Sequence, residues 1–292
     1  MNSLFQKAED LIREVLQKHQ KPVVSCSYGK DSMVVLWMVK KVAEELNIKF
    51  DVLFNDTGVE FPDFYKFRKQ LLNDYPELNE IKTNPVKTFW ETVEQYGFPI
   101  FGRKCYQDEL HKKEKIATEK CCENLKKKPT KIVIKKNQWD LMFDGLTIWE
   151  SDTRLLSFKK YGLYHFVKMF NLYKCHPIYE WKTQDVWDYI EQHNVPYCEY
   201  YDKFPKEQKY GKLIIDTPNR KTIRSARNGC WTCTVGCHRD KIKLEFLHKN
   251  YPKLFKTLMD KGLKFETAIS KTIPKENVDW ALDYYPCQFY KL

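Results

Sequence analysis

The first twenty residues set apolar positions among charged ones at the helical period and predict an amphipathic helix over 4–19. Val23-Val24-Ser25-Cys26 then forms a short, β-branched apolar run, the pattern of a buried parallel strand. Ser27 to Ser32 carries Gly29 and leads into Met33-Val34-Val35-Leu36-Trp37, so 22–46 reads as strand, glycine turn and helix. Phe50 to Asn55 repeats the strand pattern. A helix over 63–73, a strand over 80–83 and a helix over 86–96 follow. Trp139 to Leu146 reads as another buried strand, and Pro177 to Ile190 as a turn and a helix capped at Thr183, with Trp187 and Ile190 on one face. Strands alternating with helices predict an α/β fold, a doubly wound parallel sheet over 1–200. Residues 201–292 read as a small, cysteine-bearing helical subdomain, with short amphipathic helices at 244–247 and 251–259. Trp149, Trp181 and Trp187 are expected in the core.

Composition narrows the class. A chain of 292 residues with 42% hydrophobic content builds its core without disulfides. No apolar run approaches the roughly 18 residues of a membrane span, and the charged N-terminus is unlike a signal peptide, so a cytoplasmic protein with no membrane partner is expected. Fifty Lys and Arg against 39 Asp and Glu give a net charge of +11, which suits a polyanionic partner. The lysines concentrate between Arg103 and Lys136, beside paired cysteines, and this basic stretch is a candidate track for a phosphate backbone.

The candidate chemistry starts at the glycine turn. Backbone N–H groups at a helix N-terminus, the hydroxyls of Ser27 and Ser32, and the Lys30 ammonium converge on one place, as a pyrophosphate requires. The spacing differs from G-x-x-x-x-G-K-S/T and from G-x-G-x-x-G. Ten cysteines in such a chain point to reduced thiols. Cys230-Trp231-Thr232-Cys233, with Cys237 close behind and Cys121-Cys122 far upstream, supplies thiolates for structural zinc or an iron–sulfur cluster, and spacing leaves both open. Cys26, Cys175 and Cys198 lie in apolar surroundings and read as packing residues. Cys105, in a basic stretch, and Cys287 are candidate reactive thiols, and His238 reads as a surface histidine.

Ser27-Tyr28-Gly29-Lys30-Asp31-Ser32 resembles the Ser-x-Gly-x-Asp-Ser loop of the PP-loop ATP pyrophosphatases (adenine nucleotide alpha-hydrolase-like). Asp56-Thr57-Gly58-Val59-Glu60-Phe61-Pro62-Asp63-Phe64-Tyr65 is similar to the D-T-G-x-x-F-P-x-x-Y element of the phosphoadenylyl-sulfate (PAPS) reductase family. Cys121-Cys122-Glu123-Asn124-Leu125-Lys126-Lys127-Lys128-Pro129 resembles the double-cysteine element of iron–sulfur adenylyl-sulfate reductases, which implies a [4Fe-4S] cluster on Cys121, Cys122, Cys230 and Cys233. Arg227 to Val235 is similar to R-x-G-C-W-x-C-T-V of the DNA phosphorothioation sulfurtransferase, which brings in Cys237 in place of Cys122.

The resemblance implies an ATP site formed by Ser27 to Ser32, Asp56, Thr57, Gly145, Ser151 and Arg154, with Lys30 and Asp31 acting on the phosphates and Mg²⁺. Sulfonucleotide reductases end in E-C-G-L-H and carry paired arginines after the glycine that corresponds to Gly145. Here Tyr285-Pro286-Cys287-Gln288-Phe289 and Gly145-Leu146-Thr147-Ile148 stand instead. A retained loop with a lost anion clamp favours ATP as substrate: ATP is split to AMP and pyrophosphate, an acceptor is adenylated, and sulfur replaces AMP. Cys105 is the candidate relay thiol, and the expected partners are a sulfur donor (a cysteine desulfurase persulfide, or sulfide), DNA or tRNA, and a second copy of the chain. The alternatives are a sulfonucleotide reductase releasing sulfite, and a non-catalytic nucleotide-binding iron–sulfur subunit.

Overall fold

The computed structural model describes residues 3–96, 117–150, 152–217, 220–233 and 242–264. Pro22–Ser25 forms β1, and Asp51–Asn55, Asn79–Thr83, Leu141–Asp144, Tyr164–Val167 and Leu172–Cys175 form β2 to β6. They make one six-stranded sheet in the order β3-β2-β1-β4-β6-β5. Every neighbouring pair is parallel except β5 with β6. Val24 stands in register with Val52 on one side and Phe143 on the other, and all three are buried, as strands covered on both faces require.

The helices are α1 Ser3–Leu16, α2 Lys30–Leu46, α3 Pro62–Asp74, α4 Phe89–Tyr96, α5 Ala117–Cys122, α6 Lys128–Asn137, α7 Asp152–Tyr161, α8 Thr183–His193, α9 Lys206–Lys209, α10 Ile242–Asn250 and α11 Pro252–Lys264. α1 stops earlier than its periodicity predicts, because Lys18 and His19 donate back three residues to Val15 and Leu16 and tighten the last turn. Thr183 is the first residue of α8 rather than its cap; Lys182 precedes the helix, and its N–H donates to Asp185 at 2.7 Å.

Two faces close the core. Val23, Leu53, Met142 and Leu172, from four strands, pack with Ile134 of α6 and with Trp139, whose indole N–H donates to Asp51 at 2.7 Å. α2 buries Met33, Val34, Val35, Leu36, Met38, Val39 and Val42, each contributing about 1.5–3 kcal/mol. α1 is tied to α2 by Arg13 with Glu45 and by Lys41 with Glu9.

The chain divides into two compact units. The described residues of Met1–Asn55, Pro62–Thr83 and Thr130–Asn228 form the first, which holds the whole sheet. Those of Asp56–Phe61, Asn84–Pro129 and Gly229–Leu292 form the second. The boundary expected near residue 200 falls instead between Asn228 and Gly229, and the second unit gathers two upstream segments as well. One reason is a hairpin the sequence reading took for helical tail: Leu213–Thr217 (β7) pairs antiparallel with Arg220–Arg224 (β8), an exchange favoured by Ile214, Ile215, Thr217, Thr222 and Ile223. In the second unit Phe61 packs against Tyr251 at 5.0 Å, and Leu244, Leu247, Phe255 and Leu258 are buried between α10 and its surroundings.

Candidate nucleotide loop and thiol centre

β1 is flanked by β2 on one side and β4 on the other, so the strand order reverses between β1 and β4. Loops at the carboxyl ends of two such strands diverge and leave a crevice, the place where open α/β sheets bind ligands. Ser27 to Ser32 follows β1, and Gly145 follows β4. The two loops touch there. A Cβ on Gly145 would lie 2.7 Å from the carbonyl carbon of Asp31 and 2.8 Å from the Ser32 nitrogen, so only glycine lets the second loop approach the helix start.

Within the loop, the Ser32 hydroxyl donates to the Gly29 carbonyl at 2.9 Å and accepts from the Ser27 N–H at 3.2 Å. The Lys30 N–H donates to the Tyr201 hydroxyl at 3.1 Å. Among the described residues the N–H groups of Gly29, Asp31 and Ser32 make no hydrogen bond and remain available at the N-terminus of α2. The Lys30 ammonium is buried and bridges both oxygens of Asp31, at 2.7 and 2.8 Å.

Tyr28 takes a different part from the one expected of it. Its φ of +59° turns the side chain away from the loop mouth and into the core, where it is 1% exposed. There its hydroxyl donates to Glu80, which Arg68 also grips through Nε at 2.8 and 3.0 Å. Tyr28 thus straps the loop to β3 and α3 and leaves only backbone to a ligand. Burial pushes its phenol up well beyond the usual range.

Two residues that the sequence reading passed over complete the mouth. Asn228 donates through Nδ2 to the Ser27 hydroxyl at 3.0 Å and its carbonyl at 3.3 Å. A Cβ on Gly29 would sit 2.5 Å from that nitrogen. Arg227 is exposed beside this loop; burial pushes its pKa down while Asp31 and Tyr201 oppose this. Burial also lowers Arg154, the Arg227 charge adds to that effect, and Asp144 and Asp31 resist it. Two guanidiniums within electrostatic reach of each other and of Asp31 make the mouth cationic. Their signal lay in the sequence, because Arg227 and Asn228 open the very motif noted for its cysteines.

Behind Gly145, Asp144 is buried against His176 at 2.5 Å and Lys174 at 3.2 Å. Burial pushes the Asp144 carboxyl up, but the charges of His176 and Lys174 more than offset it and hold it well below the usual carboxylate range. This ion cluster fixes the end of β4. Cys26, Cys175 and Cys198 are each at most 1% exposed, and burial raises their thiols, with Cys26 and Cys198 pushed up to about 12.

The second unit carries the other chemistry. Cys121 and Cys122 end α5, and a π-helical turn, Glu123–Lys127, presents Lys126 before α6 resumes. Cys230 and Cys233 close a turn whose carbonyls both accept from Lys243, that of Cys230 at 3.0 Å. The expected nucleotide residue Thr57 belongs to this unit: its hydroxyl donates to Glu60 at 2.8 Å and lies 3.6 Å from the Cys230 sulfur. Trp231 donates its N–H to the Val59 carbonyl at 2.9 Å, and Asp56 accepts from the Gly58 N–H at 2.9 Å. The D-T-G segment therefore scaffolds the Cys-x-x-Cys turn.

Lys126 and Cys122 keep accessible surface. Burial presses the Lys126 ammonium down, and Cys230, Glu60, Cys122 and Cys233 raise it by more. Burial raises Cys121, and Cys122, Cys230 and Cys233 each add to the rise, so the four thiols share one field. The Thr232 hydroxyl, within the turn, is buried without a hydrogen-bond partner. Soft donors, a nearby cation and an orphaned hydroxyl fit a thiolate-held centre in chemistry. Among the described residues no set of three or more His, Cys, Asp and Glu side chains stands in metal-holding geometry. Cys105, Ser151, Cys237, His238 and Cys287 lie outside the described residues, as does much of the lysine-rich stretch.

Residues 21–236 match the phosphoadenosine phosphosulfate reductase domain family. The chain belongs to that family. Among relatives of this phosphoadenosine phosphosulfate reductase domain protein, an uncharacterized protein of Methanocaldococcus jannaschii is 30% identical over 238 residues, covering 81% of this chain. The chain spans 46% of that relative's length. An adenosine 5'-phosphosulfate reductase of Shouchella clausii is 28% identical over 231 residues, 77% of this chain and 83% of that protein. A phosphoadenylyl-sulfate reductase structure from Candida auris, in complex with phosphate, aligns at a TM-score of 0.48 and 18% identity over 67% of this chain and 84% of that one. The U34-tRNA thiolase NcsA of Methanococcus maripaludis, with its [4Fe-4S] cluster, aligns at 0.46 and 14% identity over 90% and 78%. No helix among the described residues is long and apolar enough to cross a membrane.

Proposed function

We propose that this chain splits ATP to AMP and pyrophosphate, adenylates an oxygen of a nucleic-acid acceptor, and replaces that oxygen with sulfur. The observation that carries the reading is the loop at the strand-order reversal: three unengaged N–H groups at the start of α2, the Lys30–Asp31 pair, and Arg154 with Arg227. The β and γ phosphates bind these N–H groups and the Ser27 and Ser32 hydroxyls, with the Lys30 ammonium turning from Asp31 to the phosphates. Asp31, so released, is the carboxylate that would hold Mg²⁺. An acceptor hydroxyl oxygen attacks the α phosphorus, the bond to the β-phosphate oxygen breaks, and pyrophosphate departs with its charge matched by the loop. The hydroxyl proton leaves to solvent. Hydrosulfide then bonds to the adenylated carbon or phosphorus, AMP leaves with the original oxygen, and the acceptor keeps a thio group. No net oxidation occurs.

Cys121, Cys122, Cys230 and Cys233 are the candidate ligands of a [4Fe-4S] cluster, with Cys237 as the alternative to Cys122; structural zinc is the other occupant this donor set accepts. When bound, such a cluster supplies an iron at which inorganic sulfide can be carried. Lys126 would balance the negative charge of the thiolates. Cys105 is the candidate thiol for receiving sulfur from a persulfide donor such as a cysteine desulfurase; on that route a second thiol reduces the Cys105 persulfide, releasing hydrosulfide and leaving a disulfide.

The relatives bearing the name adenosine 5'-phosphosulfate reductase favour a second reading, reduction of a sulfonucleotide to sulfite. One experiment separates them: anaerobically purified protein is given radiolabelled ATP with oligonucleotide, or adenylyl sulfate with a thiol reductant. Pyrophosphate and AMP from the first, without sulfite from the second, support sulfur transfer. Sulfite release overturns it, and silence in both assigns a non-catalytic subunit.

A further inference from the structure

Trp149, expected in the core, is 59% exposed, whereas Trp181 and Trp187 are buried as expected. Its indole N–H donates to the Glu180 carbonyl at 3.1 Å, which fixes the ring, and the Lys182 ammonium stands 5.9 Å from it. Trp149 does not stand alone. Of the nine large apolar side chains exposed among the described residues, six (Trp149, Leu156, Tyr161, Phe166, Met169 and Tyr173) fall on 149–173. A soluble surface seldom concentrates apolar area in this way without a partner.

Beyond Glu150 and Asp152 at its start, the same stretch is charged with one sign. Residues 153–175 contain Arg154, Lys159, Lys160, Lys168 and Lys174 and no Asp or Glu. Lys159, Lys160 and Lys168 are exposed and have no carboxylate partner among the described residues. The Lys160 ammonium lies 4.9 Å from the Tyr161 ring. The rings are held as well as exposed: Tyr161 stacks on His165 at 5.1 Å, Tyr173 on Tyr164 at 5.1 Å, and Phe166 meets Tyr173 edge-on at 5.2 Å. α7 spans Asp152–Tyr161 and is ~15 Å long, a distance of several stacked bases along one strand.

We propose that α7 and the β5–β6 hairpin form a docking surface for single-stranded nucleic acid, with bases stacking on exposed rings and phosphates meeting the lysines. Planar faces held in place suit bases, which stack without sequence preference, better than the mobile aliphatic side chains that enter lipid. Lys168 directly follows the edge strand β5, and a lysine at a sheet edge opposes pairing with a second copy. The inference rests on nucleic acid as the acceptor in the proposed function and names the residues that receive it, drawn from 149–173 and not from the lysine-rich stretch of the sequence at 103–136.

The test is equilibrium binding of a fluorescent single-stranded oligonucleotide to the full chain across a salt series, without ATP. Replacing Lys159, Lys160 and Lys168 together by Ala is expected to reduce the slope of log K against log salt by about 2. Phe166→Ala and Trp149→Ala are each expected to weaken binding roughly 5- to 100-fold while leaving the salt slope unchanged. All are surface changes, and an unaltered melting temperature checks the fold. Oligonucleotide bound equally by wild type and variants, or a face that binds only anionic vesicles or a second copy, overturns the proposal. Pyrophosphate release with no oligonucleotide bound on this face sinks the surface and keeps adenylation; binding with no pyrophosphate release does the reverse.

Discussion

Around Gly29 the side chains are already engaged with one another: Ser32 caps the loop, Tyr28 is strapped to Glu80 and Arg68, and Asn228 spans Ser27. Around Cys230 the picture is reversed. Cys122 and Lys126 stay accessible, Thr232 has a buried hydroxyl without a partner, and burial, with Cys122, Cys230 and Cys233, raises the Cys121 thiol. The first region draws its shape from a closed sheet core, whereas the second holds groups that repel unless an ion or cluster takes up their charge. A phosphate site can be preformed from backbone N–H groups because these cost little when hydrated. A thiolate site is completed by its occupant.

The largest break in this comparison comes from Asp144→Asn. Removing one partner of a buried ion cluster should cost about 3–5 kcal/mol in urea unfolding at neutral pH. The sign follows from the depressed carboxyl: its contribution is present above the unfolded carboxylate range, about pH 4, and is lost as pH falls through the folded value. The gap between wild type and variant should therefore narrow on acidification, and a constant gap would remove the ionic account. Next in size is the thiol region. Zinc, or iron with sulfide, at a hundredfold excess over Kd should add about 2.7 kcal/mol to wild type. Cys230→Ser should lose that gain while changing the metal-free protein by only about 1 kcal/mol. Equal costs with and without metal would make Cys230 a packing residue.

Gly145→Ala should follow at about 1–3 kcal/mol, because its Cβ meets backbone that cannot swing aside. ATP binding, read by calorimetry, should weaken along with stability. Tyr28→Phe sharpens the comparison least, on the order of 1 kcal/mol, since Arg68 still holds Glu80. Its KM for ATP should rise with kcat little changed if the strap only positions the loop.

β1, β2 and β4 were readable because they are short apolar runs, each followed within a few residues by a glycine, and the loop because Gly29 and Ser32 lie within one turn of each other. Both were local patterns. β5 and β6 escaped notice, since Tyr164–Val167 and Leu172–Cys175 alternate weakly and are defined by pairing with each other and with β4. The resemblance implies a nucleotide contact at Thr57, and the structure engages its hydroxyl with Glu60 and places it near the Cys230 sulfur, 173 positions away in the second case. Trp149 was placed in the core on residue type alone, and only the turn at Ile148–Glu150 turns it outward.

The amino-acid order by itself determined the α/β class, the glycine loop after β1 and the cysteine pairs, because each is set by neighbours within a few residues. Folding decided which distant segments meet: Gly145 against Asp31, Asn228 against Ser27, Lys126 among thiols from two parts of the chain. Those meetings depend on strand order and helix packing, which sum weak contributions over the whole chain and leave no mark at any single position.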